Sequence, residues 1–203
     1  AGLSYIPVIS LNANGMEKNA GFKWSAGLLM DAAHAMVYGD LFMRCLYRVR
    51  PYEKELGSAN ALHKKWRDIC IDSLTNKKSK YRYKDVCKGI VEAFDHFPMD
   101  ETISKPRVGI VGEILVKYMP LANNGAKKSS AVISAAGIKM IEALRKPAID
   151  ALKRSSRFEP PVSIYEIAQM TKPFLSLGNQ YGEGWFLAGE MVELLTNGTP
   201  NIV

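Results

Sequence analysis

The sequence predicts an α/β fold in which helices outnumber strands and the sheet is mainly parallel. Three observations carry this. Residues 107–111 read Arg-Val-Gly-Ile-Val, a short apolar run without polar alternation, as a strand covered on both faces does. Long stretches with apolar residues at helical spacing flank it on both sides. Loops rich in Asn, Gly and Pro separate these stretches.

In chain order, "LSYIPVISL" (3–11) is β-branched and apolar and reads as a strand, and "NANGMEKNAG" (12–21) as a loop. Ser25 is placed to cap a helix carrying Leu28, Leu29, Ala32, Ala35 and Met36. Gly39-Asp40 interrupts that pattern, and Asp40 is placed to cap a second segment with Leu41, Phe42, Cys45 and Leu46. Arg50-Pro51 ends it, because the residue before proline avoids the helical region. Ser58 opens a helix with Leu62, Trp66, Ile69 and Cys70 on one face. "NKKSKYRYK" breaks it, and 85–97 is helical again with Val86, Ile90, Val91, Phe94 and Phe97 inward.

Residues 98–105 read as a linker, dividing a helix-rich lobe with an N-terminal strand (1–100) from a partial α/β lobe (101–203). Beyond the apolar strand, a helix is predicted from about 130, carrying Ile133, Ile138, Ile141, Leu144 and Leu152, with Pro147 kinking it. "SIYE" at 163–166 has the pattern of a capping box, and its helix is expected to run to Leu177-Gly178. A last helix carries Leu187, Met191, Leu194 and Leu195, and Asn197-Gly198 stops it.

With 203 residues the chain can bury a core without staples. Its net charge of +7, from 27 Lys and Arg against 20 Asp and Glu, favours anionic partners. Cys45, Cys70 and Cys87 form no C-x-x-C pair and lie in helical patterns. They read as reduced thiols, which points to a cytoplasmic setting, and no metal site is expected from the chain. No uncharged apolar run approaches the ~20 residues of a membrane helix. His34, His63 and His96 are isolated, and no nucleotide-loop or hydrolase motif is present.

Three stretches bear on binding. "VGIVGE" has G-x-x-G, which fails as a dinucleotide fingerprint, but its loop places Glu113 beyond a strand end. There the carboxylate either orients a ligand or caps a neighbouring helix. "GNQYGEGW" sets glycines ahead of a helix N-terminus, where free amides can hold an anion or where glycine allows close packing. These two stretches give the candidate ligand-binding residues: Glu113, Lys117, Asn123, Asn124, Gly182, Glu183, Gly184 and Trp185. In 77–84, five cations interleave with Tyr81 and Tyr83; phosphate tracking with base stacking is one reading, and a solvated interhelical loop is the preferred one, so nucleic acid is not expected as a partner.

Five stretches together resemble one family: "IPVISLNANGMEKNAGFKW", "YGDLFMRCLYRVRPYE", "KPRVGIVGEILVKYMPLANN", "RFEPP" and "GNQYGEGWFLAGEMVELLTNGTPNIV". They are similar to the dehydratase-related C-terminal region of the CoA-substrate-specific enzyme activases, the activators of (R)-2-hydroxyglutaryl-CoA dehydratase. That region is itself related to 2-hydroxyacyl-CoA dehydratase subunits. The resemblance implies Rossmann- or flavodoxin-like lobes and a system in which ATP hydrolysis drives a low-potential electron through a [4Fe–4S] cluster. It implies as partners an actin/Hsp70-like ATPase domain, which this sequence does not contain, and a dehydratase subunit.

The chain departs from the family pattern in two places. "GAKKSS" follows Asn123-Asn124 where the family continues its lobe, so a deletion or gap is expected near 124–128. The family's cysteine-bearing "QPFGCLP"-type stretch falls after the position of Val203, and the chain's own cysteines match no ligand motif. The sequence therefore reads as a fragment, itself catalytically silent and without a cofactor of its own. The rival readings are a dehydratase that handles the acyl-CoA and a small-ligand or nucleic-acid binding α/β domain with no redox role.

Overall fold

A computed structural model describes residues 11–12, 15–16, 25–109, 131–178 and 184–202, with the side chains of 11–12, 15–16 and 131–138 excepted. The chain forms two compact units that interleave in sequence: one of Ala1–Phe22, Lys105–Lys128 and Pro161–Val203, and one of Lys23–Ser104 and Ser129–Pro160.

The second unit is helical. Helix α1 spans Ala26–Val49, α2 Ser58–Thr75, α3 Tyr83–Asp95 and α4 Ala131–Leu152. Ser25 caps α1 as expected, its Oγ accepting from the Leu28 amide at 3.1 Å. The expected break at Gly39-Asp40 is absent: α1 runs through both residues. Tyr38, Leu41, Phe42, Cys45, Leu46 and Val49 are buried on one continuous stripe, and that burial outweighs the cost of about 1 kcal/mol for one helical glycine. Pro51 ends α1, and residues Arg50–Tyr52 tighten into a 3-10 turn.

Ser58 opens α2 as expected, and the residues before it satisfy the free amides of the first turn. Gly57, at φ 88°, is the residue before the first turn, and the Glu53 carboxylate accepts from the Gly57 and Ala59 amides at 2.8 and 2.9 Å. Ser58 Oγ donates to the Glu55 carbonyl. Helix α3 buries Val86, Cys87, Ile90, Val91 and Phe94, with Phe97 just beyond it. It packs on α1, α2 and α4 and is the centre of the core. Pro147 lies inside α4 without ending it. Leu152 is buried, whereas Ile141 is exposed. Helix α4, placed by sequence with residues 101–203, packs on α1 and α3.

The other unit holds two small pairs of strands. Strand β1 (Leu11–Asn12) pairs antiparallel with β2 (Gly15–Met16): Leu11 is the last residue of the expected strand, and Asn12 and β2 lie in the stretch read as a loop. Strand β3 (Val108–Gly109) pairs in parallel with β4 (Asn201–Ile202), Val108 opposite Asn201 and Gly109 opposite Ile202. The expected parallel strand is therefore present at 108–109; residues 110–111 lie outside the described residues, as do 3–10 and the expected discontinuity at 124–128. Among the described residues no larger sheet of Rossmann or flavodoxin type is formed, and the architecture is helix-rich α/β in this coarse sense.

Helices α5 (Ile164–Thr171) and α6 (Gly184–Thr196) pack on each other. The capping box of α5 is complete: Ser163 Oγ accepts from the Glu166 amide at 3.2 Å, and Glu166 Oε2 accepts from the Ser163 amide at 2.9 Å. α5 is shorter than expected and stops at Thr171, two residues before Pro173. On α6 the expected apolar face is packed in part: Leu187 and Leu194 are half-buried, Met191 and Leu195 are exposed, and the fully buried residue is Gly189. No described helix is long and apolar enough to cross a membrane.

Candidate functional site

Of the candidate ligand-binding residues, Glu113, Lys117, Asn123, Asn124, Gly182 and Glu183 lie outside the described residues. Gly184 and Trp185 open α6. Trp185 is half-buried, its ring edge-on to Phe186 at 5.7 Å, and its carbonyl accepts from Thr171 Oγ1 at 3.0 Å. That hydroxyl also donates to the Ile167 carbonyl at 2.8 Å, so one fully buried hydroxyl ties the end of α5 to the start of α6. Sequence reasoning missed Gly189. A Cβ there would collide with Ile167 Cγ2 and Thr171 Oγ1, so this glycine allows the two helices to touch.

α6 then leads into β4 through a Schellman turn. The Gly198 amide donates to the Leu195 carbonyl at 3.1 Å and the Thr199 amide to the Leu194 carbonyl at 2.9 Å, with Gly198 at φ 75°. Leu194 covers Gly109 of β3, leaving no room for a side chain there. Arg107 Nη1 donates to the Asn197 carbonyl, and Asn201 Nδ2 to the Arg107 carbonyl, both at 3.4 Å. Parallel pairing places the carboxyl ends of β3 and β4 on one edge, where ligands of open α/β sheets bind. The described residues at that edge, Gly109 and Ile202, bring backbone and an aliphatic side chain and no titratable group.

The other titratable groups of interest lie in the helical unit. Cys45, Cys70 and Cys87, one on each of α1, α2 and α3, are free and buried, as expected of packed thiols. Burial pushes each thiol up to about 12, so each is held protonated. A cluster ligand must be a thiolate. Among the described residues, no three His, Cys, Asp or Glu side chains gather as a metal ion would require. These cysteines therefore do not fit a [4Fe–4S] cluster.

Beside Cys87, the Tyr83 ring stacks on His34 at 3.8 Å and its hydroxyl donates to the Leu144 carbonyl at 2.6 Å. Tyr38 donates to Ser73 Oγ at 3.2 Å, since the Ser73 hydroxyl is itself given to the Cys70 carbonyl. Burial raises both tyrosines and lowers His34. Tyr83 is thus committed to the core and cannot serve as a stacking platform.

The described residues define a helix-rich α/β chain whose parallel strand pair carries no described catalytic group. The chain matches no protein-family model, no curated protein and no solved structure.

Proposed function

We propose that this chain is part of a protein of the activase and 2-hydroxyacyl-CoA dehydratase type, which takes part in ATP-driven, low-potential electron transfer for acyl-CoA dehydration. In this reading the chain is a structural piece of that machine, without catalytic activity of its own. The supporting observation is the parallel pairing of Val108–Gly109 with Asn201–Ile202. It sets side by side the two longest motifs that carry the resemblance, "KPRVGIVGE…" and "…GTPNIV". In the family, the cluster cysteine follows the segment corresponding to β4, which here pairs with β3. The protonated, dispersed thiols of the chain give the cluster no ligands, so no electron step is assigned to them.

The test is anaerobic purification of the complete protein that carries this sequence. It is expected to show the absorption and reduced-state electron paramagnetic resonance of a [4Fe–4S] cluster, and to accelerate a 2-hydroxyacyl-CoA dehydratase only with ATP. The 203-residue chain, treated with ferrous iron and sulfide, is expected to assemble no cluster. An iron-free complete protein with no ATP-dependent effect overturns the reading. Cluster assembly on the 203-residue chain overturns its assignment as a ligand-free piece.

A further inference from the structure

We propose that the α2–α3 hairpin is a docking surface for the phosphate backbone of double-stranded nucleic acid, read by charge and not by base. Between residues 64 and 88 the chain carries nine Lys and Arg against three Asp, a surplus of six out of its net charge of +7. All nine cations are exposed. Arg67 pairs with Asp68 at 2.8 Å and Lys88 with Glu92 at 3.4 Å, and Lys80 lies over the Tyr81 ring at 5.4 Å. Lys64, Lys65, Lys77, Lys78, Arg82 and Lys84 have no partner among the described residues. Such a surplus stores repulsion that a polyanion relieves.

The scaffold under these cations is fixed. Asp72 accepts from Asn76 Nδ2 at 2.9 Å and from Ser79 Oγ at 2.6 Å. Asn76 Oδ1 accepts from the Lys78 amide at 3.0 Å, and Ser79 Oγ accepts from the Tyr81 amide at 3.1 Å. The turn is therefore closed on itself, and binding orders only lysine and arginine side chains. The Trp66 ring lies against Gly89, which brings α2 near 66 beside α3 near 89. Lys64 and Lys65 thus flank the same hairpin as Lys84 and Lys88.

What is missing from the patch selects the partner. Protein interfaces rely on aromatic anchors, and single strands on exposed rings for stacking. Here Trp66 packs on Gly89, Tyr83 stacks on His34, and Tyr81 is half-buried under Lys80. Ile71 is exposed on α2, but no exposed ring accompanies it; charge dominates the hairpin, and the phosphates of a duplex are the polymer recognised that way.

The test is fluorescence anisotropy of a labelled mixed-sequence duplex with the 203-residue chain across a salt series. If four phosphates are neutralised, raising salt from about 50 to about 200 mM weakens binding roughly 100-fold. The variant K77Q/K78Q/R82Q/K84Q, whose changes touch only exposed and unpartnered side chains, is expected to lower the slope of log K against log salt by about 3 to 4. Circular dichroism is expected to show the same helicity. A charge-matched control, K54Q/K139Q/K153Q/R154Q, is expected to keep the slope. No binding at low salt, equal loss in both variants, tighter binding of a single strand, or equal competition by an acidic polypeptide overturns the proposal.

Discussion

Asp95 ties the end of α3 to the turn after α4. Its carboxylate accepts from Ser155 Oγ at 2.6 Å, the Arg157 amide at 3.0 Å and the Ser156 amide at 3.3 Å. Arg157 in turn donates to the Phe94 and Phe97 carbonyls, both at 2.9 Å, the favourable place for a cation beside a helix C-terminus. Burial works to raise the Asp95 carboxyl, but the hydrogen bonds and the guanidinium outweigh it and the net direction is down. The stabilisation is therefore present above the unfolded value of about 3.9 and is lost as pH falls through the lower folded one. Asp95→Ala is expected to cost about 1–3 kcal/mol in urea unfolding near neutrality. The deficit should shrink in acid, where the wild-type carboxylate is also protonated.

His34 acts in a higher window. Burial against Tyr83 lowers its pKa although Asp31 opposes this, so the unfolded chain binds the proton more readily. Its contribution is full above about pH 6.5 and declines as pH drops below it. His34→Gln should flatten that slope in unfolding measured from about pH 7 to about pH 5. Gly189 is a third test at this scale. Gly189→Ala places a methyl against Ile167 and Thr171, and overpacking of this kind is expected to cost about 1–3 kcal/mol by thermal or urea unfolding.

At the level of elements, α5 depends most on a single cap. It is 8 residues long, too short to be stable alone, so its reciprocal Ser163–Glu166 bonds matter. Ser163→Ala should cost about 1 kcal/mol, and Ser163→Ala with Glu166→Ala less than the sum of the two, measured as a double-mutant cycle. This box was legible in the sequence because its chemistry is local, as were the Ser25 cap, the Pro51 stop and the Gly198 turn. The break expected at Gly39-Asp40 was misread because burial of Tyr38, Leu41 and Phe42 overrides local propensity. The Glu53 carboxylate at the start of α2 was not legible, because it stands before the helix and reaches it only through the turn at Gly57. Likewise Gly189 is an ordinary helical glycine until Ile167 is set against it. Of the candidate ligand site, only Gly184 and Trp185 fall within the described residues, and what they show is backbone packing onto Thr171.

On the scale of the molecule, the main core belongs to the helical unit. Its most deeply buried side chains include Phe94, Ile90, Val86 and Val91 of α3, and Val49 and Cys45 of α1. In the other unit Ile167, Thr171 and Thr199 are buried, while Ile164, Tyr165, Phe174, Met191 and Leu195 are exposed. Native-state hydrogen exchange should therefore find the slowest amides in α3 and faster ones in α5 and α6. Phe94→Ala is expected to cost about 3–5 kcal/mol and to accelerate exchange throughout α1, α3 and α4. Slower exchange in α6 than in α3 would contradict this ordering of stability.

The partnership of Val108 with Asn201 also has a history in time. A ribosome makes β3 first, then α4, α5 and α6, before its partner strand exists. At about 5–20 residues per second the delay lasts roughly 5 to 20 s. For nearly all of that interval Gly109 lacks the cover of Leu194, and the strand's amides and carbonyls are open to any other extended chain. The helical unit must wait as well, but only until α4 emerges. Nascent chains halted between Leu152 and Leu194 are thus the species on which a holding chaperone has the most to do.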